Sequence, residues 1–381
     1  MIYFDNNATT RLAPEAFAAM KPFLNEFYGN PSSAYIFGRE ARGAIEEARA
    51  NLAELLGAAD AGEIVFTSGG TESDNWAITG ALEASPAKKH IVTTRVEHEA
   101  VRRLCEQLER KNYEITWLEI DENGFLDLNE LKNSLRRETA VVSVMTANNE
   151  TGITFPVEEI ARLVKENSAA LFHTDAVNAV GKMPFDLKNT SIDLLSLSGH
   201  KFHAPKGVGA LYIKNAVDLS SFLIGGGQEN GRRAGTEAVH QIAALGRAAQ
   251  LAVDLSAMES VRALRDKLED GILATIPNAS VNGTADRNAR LPNTSSISFE
   301  NTNGEAILAR LSDAGVLVST GSACNAKNHT ASVVLQALNV PYAKAMGAIR
   351  FSLGRYNTET EVDFVLQRLP PIVRDLRDLS I

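Results

Sequence analysis

Between roughly residues 40 and 255, short apolar runs alternate with stretches whose apolar positions recur every three to four residues. The runs at 63–67 (EIVFT), 90–94 (HIVTT) and 140–145 (AVVSVM) are of strand length and rich in β-branched residues, and each ends in polar or small ones. After 140–145 comes a polar turn and then Pro156, which can open a helix at its first turn because it has no N–H to leave unpaired. Ile160, Leu163 and Val164 then share one helical face. A run at 170–173 leads to Asp175, and runs at 192–196 and 208–213 flank a tight polar turn. Strands alternating with helices predict an α/β domain around a mostly parallel sheet. From about Ser256 the pattern changes. A helical repeat through Leu264, Leu268 and Ile272 gives way to alternation at 295–299 and to a helix over 305–311. That predicts a second, smaller α+β domain. With no internal repeat or long flexible linker between them, the two should pack closely and share a cleft.

A length of 381 residues suits two or three domains, and 44% hydrophobic with 22% charged residues is the make-up of an ordinary globular protein. The 38 Lys and Arg against 47 Asp and Glu give 38 − 47 = −9, which argues against direct nucleic-acid or anionic-membrane partners. No apolar run approaches the roughly 18 residues that span a bilayer, and Asp5 breaks the segment where a signal peptide would be apolar; a cytoplasmic location is expected. Cys105 and Cys324 form no CxxC pair and no zinc-spaced cluster, so neither a disulfide framework nor a metal is expected. Cys105 shares helical spacing with Val101 and Leu108 and reads as a packing residue. Cys324 lies in the small, polar stretch STGSACN, which reads as a mobile loop.

Three features carry chemistry. The run EIVFT leads into Ser68-Gly69-Gly70-Thr71 and then a helical pattern, where a helix N-terminus would offer free N–H groups to a phosphate; a plain connecting turn has the same composition. The missing lysine excludes a Walker loop, and the absence of GxGxxG disfavours a dinucleotide fold. Lys201 follows a strand in the polar turn SLSGHK, where its amine could condense with an aldehyde cofactor or simply be solvated. Asp175 ends a buried strand, where a carboxylate needs a partner: a protonated pyridine nitrogen is one, a helix N-terminus another.

Together, in this order, they are what a pyridoxal phosphate enzyme requires. The motifs YFDNNATT, GNPSS, TSGGTESDN, EHEAV, ANNETG, HTDAV, SGHKFHAPKGVG, GRRAGT and STGSAC together resemble the NifS/IscS-type cysteine desulfurases of the class V aminotransferase-like group, across nearly the whole chain. The resemblance implies the fold type I architecture of aspartate aminotransferase. Residues 13–257 would form a large cofactor-binding domain around a mostly parallel, mixed seven-stranded sheet, and residues 1–12 with 258–381 a small domain carrying the Cys324 loop.

By the same resemblance Lys201 is the lysine bound to pyridoxal 5'-phosphate, Asp175 the partner of its pyridine nitrogen, and His98 the ring that stacks on it and shares proton transfer with Lys201. Gly70, Thr71, Ser198 and His200 match phosphate ligands, and Thr236 matches one supplied by the neighbouring subunit, which implies a homodimer. Asn149 matches a contact to cofactor and substrate, and Arg350 the planar fork that grips the substrate carboxylate; Arg355 reads as a surface or structural arginine. Cys324 would take sulfur from L-cysteine as a persulfide, release L-alanine, and pass the sulfur to an acceptor protein such as an iron–sulfur scaffold, or into thio-modification.

Two stretches depart from the family. Asn178 stands where glutamine is usual; one methylene shorter, it is expected to reach the cofactor through a water or a slight backbone shift. The stretch 325–332 (NAKNHTAS) lacks the usual pattern after the cysteine. Rival readings are a selenocysteine lyase, an aminotransferase, which needs no thiol nucleophile, and a scaffold that acts by docking partners.

Overall fold

The computed structural model describes residues 1–320 and 331–379. Its main sheet is built from β2 (Ile64–Thr67), β3 (His90–Thr94), β4 (Glu114–Leu118), β5 (Thr139–Ser143), β6 (Leu171–Asp175), β7 (Leu194–Ser198) and β8 (Gly209–Ile213), after a short β1 (Ile2–Tyr3) that pairs elsewhere. The strand order is β2-β8-β7-β6-β5-β3-β4, with β8 antiparallel to both neighbours and the other pairs parallel. This is the mixed, mostly parallel seven-stranded sheet that was expected. Five strands are buried along their full length, because helices cover both faces. Alternate side chains go to opposite sides. Ile64, Phe66, Val92, Val142 and Leu195 meet the helices α1 (Pro14–Met20), α2 (Ile36–Leu56), α5 (Val157–Asn167) and α6 (Val239–Val253). Val65, Ile91, Val141 and Leu194 meet α3 (Gly70–Ala84) and α4 (Glu99–Glu109), where Cys105 is buried with Val101 and Leu108. Only β4, the half-exposed edge strand, escaped the sequence reading; its burial is too weak to show as an apolar run.

A second core forms from Phe4 together with residues of α7 (Ser256–Thr275), β9 (Ala279–Val281), β10 (Thr294–Phe299), α8 (Gly304–Asp313), β11 (Val316–Leu317), β13 (Ala348–Ser352) and α10 (Glu359–Asp378), with the short β12 (Ser319–Thr320) alongside. Here the four-stranded antiparallel sheet runs β12-β13-β10-β9, and β1 pairs with β11. The helix α9 (Val333–Ala337) follows β12 in the chain, yet its Val334 and Leu335 pack into the first core. Residues 5–13 cross from one core to the other: Asn6 N donates to Ser352 O, and Thr10 N and Ala13 N donate to the carbonyls of His200 and His203. Among the described residues, no helix is long and apolar enough to cross a membrane.

Candidate active site

Strands β2, β3, β5, β6 and β7 point the same way, so the segments that follow them gather at one edge of the sheet, the usual place for ligands in such sheets. Four of the expected site segments lie there: the Gly70 turn, His98, the stretch from Asp175 to Asn178, and the turn from Ser198 to Lys201. α3 begins after Gly69, whose φ of 150° is open to glycine, and no side chain caps it. Gly70 is packed so closely that a Cβ would lie 2.5 Å from Val177 Cγ2 and 3.7 Å from Ser198 Cβ. Thr71 is exposed in the first turn.

Lys201 ends a short 3-10 turn after β7, and its Nζ donates to Asn7 O at 2.5 Å and Ala8 O at 3.1 Å. His200 Nδ1 lies 3.1 Å from Thr9 Oγ1; burial brings this imidazole down to about 4, so it is neutral at pH 7. Asp175, 4% exposed, accepts the Val177 N–H at 2.8 Å. Burial pushes its carboxyl above the ordinary range against the opposing pull of His98, that N–H and Lys201. His98 is exposed and caps α4, its Nδ1 accepting from Ala100 N at 3.2 Å, which leaves Nε2 to carry the proton of the neutral ring.

Behind Asp175 lies a buried acidic layer that the sequence did not disclose. Asp74, 1% exposed on α3, brings a carboxylate oxygen within 4.8 Å of polar atoms of both His98 and Asp175, and among the described residues neither of its oxygens has a well-formed hydrogen bond, with Ser196 as polar support. Burial and the neighbouring Asp175 raise its carboxyl well above the usual range. His173 Nε2 lies 3.6 Å away and offers no countercharge, because burial lowers this imidazole to about 3; its nitrogens pair instead with Ser143 and Ser196, each at 2.9 Å. Glu97 accepts from Thr94 Oγ1 and Met145 N, both at 2.9 Å, and burial raises it to about 8. Acid residues inside apolar helix and strand patterns were the only available signal.

On the far side, Arg350 of β13 donates Nη2 to Asp5 Oδ1 at 2.7 Å and Nη1 to Asn149 O at 2.9 Å, while its buried Nε has no partner among the described residues. Asn178 is buried, with no partner for Oδ1 among the described residues. Arg355 donates to Leu251 O at 3.2 Å. Thr236 is exposed on the loop before α6, tied to the Gly70 turn at one remove by Arg233, which bonds Glu72 at 2.8 Å. Cys324 lies outside the described residues. Sequence reasoning also missed Asn7, which bonds Lys201, Asn149 and the buried Lys182; its signal was the YFDNNATT motif itself.

The model of the family described as aminotransferase class-V matches residues 2–365. Cysteine desulfurase 2 of Trichormus variabilis is 52% identical over 381 residues, covering 100% of this chain and 95% of that protein. Cysteine desulfurase NifS of Azotobacter vinelandii is 51% identical over 381 residues, covering 100% and 94%. Among solved structures, a NifS-like protein aligns with a TM-score of 0.92 at 40% identity, covering 98% of this chain and 100% of that one. SspA in complex with cysteine aligns with a TM-score of 0.82 at 34% identity over 94% and 100%. A full-length match of this kind, on a fold of the expected form, places the chain in the class-V aminotransferase family, among its NifS-type cysteine desulfurases.

Proposed function

We propose that this chain uses pyridoxal 5'-phosphate to take sulfur from L-cysteine, giving L-alanine and a persulfide on Cys324. The observation that carries the reading is the convergence of Lys201, Asp175 and His98 at the carboxyl edge of the sheet, in a chain about half identical to cysteine desulfurases along its whole length. The residues fit the cofactor. An uncapped helix start beside Ser198 suits a phosphate, a buried carboxylate at position 175 suits a pyridinium, and the Asn178 amide oxygen has no partner among the described residues. Gly70, Thr71, Ser198, His200 and the partner-facing Thr236 would hold the phosphate, Lys201 the aldehyde carbon, and Asn149 and Asn178 the ring substituents.

When bound, the cofactor supplies an aldehyde that captures amines and a ring that withdraws electrons. Arg350 grips the substrate carboxylate; Asp5 and the Asn149 carbonyl already orient its fork. Lys201 Nζ and His98 Nε2 move the protons at the substrate carbon and sulfur. Cys324 Sγ forms an S–S bond as the substrate Cβ–S bond breaks; cysteine and the Cys324 thiol become alanine and the persulfide, with atoms and electrons balanced. A homodimer follows from Thr236 serving the neighbouring site, and the exposed side chains of Phe17, Leu24, Tyr28, Tyr35, Ile36 and Ile224 supply apolar surface for it. The sulfur passes to an acceptor protein, such as an iron–sulfur scaffold, in the cytoplasm.

Mass spectrometry of the Cys324 peptide after L-cysteine treatment should find one added sulfur, and Cys324→Ser should keep the colour of the bound cofactor while losing sulfide release. Sulfide release undiminished in that variant would retire the persulfide route.

A further inference from the structure

Lys182 has no place in the reaction just described, yet it is 8% exposed and adjoins the same site. It leaves the turn after β6 and folds back so that Nζ donates to Asn178 O at 2.9 Å and to Asn7 Oδ1 at 3.3 Å. No carboxylate forms an ion pair with it among the described residues. A buried ammonium without a counter-ion is costly, and burial, with Lys201 and Arg350 nearby, brings its pKa down to about 7. The charged side chains about it are Lys201, Arg350, Arg355 and Asp254, and the imidazoles of His200 and His203 also feel it. Several of these line a cavity of about 30 Å³ between the two cores, and Asp254 is the one acid among its described lining residues.

Asn7 joins Lys182 to the machinery. Its carbonyl accepts from Lys201 Nζ at 2.5 Å, and its Nδ2 donates to Asn149 O at 3.1 Å and Thr294 Oγ1 at 2.9 Å. Its Oδ1 accepts from Lys182 and, at 2.9 Å, from Asn293 Nδ2. Because an ammonium can only donate, Lys182 holds this amide in the sense that the Asn149 carbonyl also demands, and with it the segment whose carbonyl holds the Lys201 amine.

We propose that Lys182 is a positioning residue for Lys201: through Asn7 it sets the carbonyl on which the nucleophilic amine rests, and its charge disfavours a proton on the nitrogen beside it. The inference rests on the proposed role of Lys201. An amine condenses with an aldehyde only when unprotonated, and a second cation close by favours that state.

The test is a pH titration of the visible absorption of the cofactor-loaded protein, with thermal unfolding measured alongside. In Lys182→Met and Lys182→Gln, the midpoint for protonation at Lys201 should rise by about one unit, the scale of a partly screened neighbouring charge, while Lys182→Arg should stay near the wild type. If the neutral variants titrate at the wild-type midpoint, or Lys182→Arg moves as far as Lys182→Met, the inference is overturned. Should Lys182→Met fail to fold, the Gln and Arg pair decides alone. A wild-type protein that takes no colour, or that borohydride tags away from Lys201, sinks the lysine reading instead.

Discussion

Replacing Glu269 with Gln should destabilise the protein by an amount that depends on pH. Glu269 is buried on α7 and accepts from Arg290 Nη1 and Nη2, both at 2.8 Å, and from Ser295 Oγ at 2.6 Å; Arg287 bonds it at 3.2 Å. Burial alone would raise this carboxyl, but Arg290, Ser295 and Arg287 outweigh it and bring it from 4.5 to about 2. A depression of that size corresponds to about 3 kcal/mol at neutral pH. Because the folded value lies below the unfolded one, this stability is present above about pH 4.5 and is lost as pH falls toward 2. Urea unfolding followed by circular dichroism at pH 7, 4 and 3 should show a wild-type advantage of about 3 kcal/mol at neutral pH that narrows on acidification. Taking the difference between the two proteins cancels the buried acids whose values are raised, which act in the opposite sense. An advantage below about 1 kcal/mol at pH 7, or one that persists unchanged at pH 3, would refute this account of the cluster. The cluster matters for the site because Leu291 N bonds Gly152 O and Thr154 N bonds Ala289 O, which fastens the turn that carries Asn149.

Glu97, raised from 4.5 to about 8, should have the opposite sign: its burial costs the fold stability progressively as pH rises from about 4.5 to 8, so Glu97→Gln should flatten that slope in the same assay. Glu229→Ala should cost about 3 kcal/mol, since it leaves the buried Arg49 guanidinium, which it meets at 2.7 Å, with the exposed Glu46 as its remaining counter-ion, and Arg49→Met with Glu229→Leu should recover much of the loss in urea unfolding. Gly70→Ala should displace Val177 and weaken cofactor retention, measured as the pyridoxal phosphate released on dialysis, with little change in the unfolding midpoint.

The sheet was legible because its strands are buried on both faces and so appear as unbroken apolar runs. β6 ends at Asp175 as expected, but β7 runs two residues beyond the apolar run, through Ser198, since polar residues at the site still hold ladder hydrogen bonds. The antiparallel course of β8 has no trace in composition, because VGALYI would read the same in either direction. Among site residues, those with distinctive local chemistry, such as Lys201 in its polar turn, could be proposed from the sequence. Asp74 lies within an ordinary helical pattern and Glu97 and Lys182 in ordinary connecting turns, and their roles arise only once chain segments far apart are folded together.

Asn7 is translated early, but its backbone N–H bonds Ser352 Oγ, 345 positions further on, and its amide bonds Asn293 and Thr294, nearly as distant. A ribosome must therefore deliver almost the entire polypeptide before the resting place of the Lys201 amine can be completed. Nascent fragments that already contain every strand of the large sheet would still lack these bonds, so the last contacts around Asn7 close only at the end of biosynthesis.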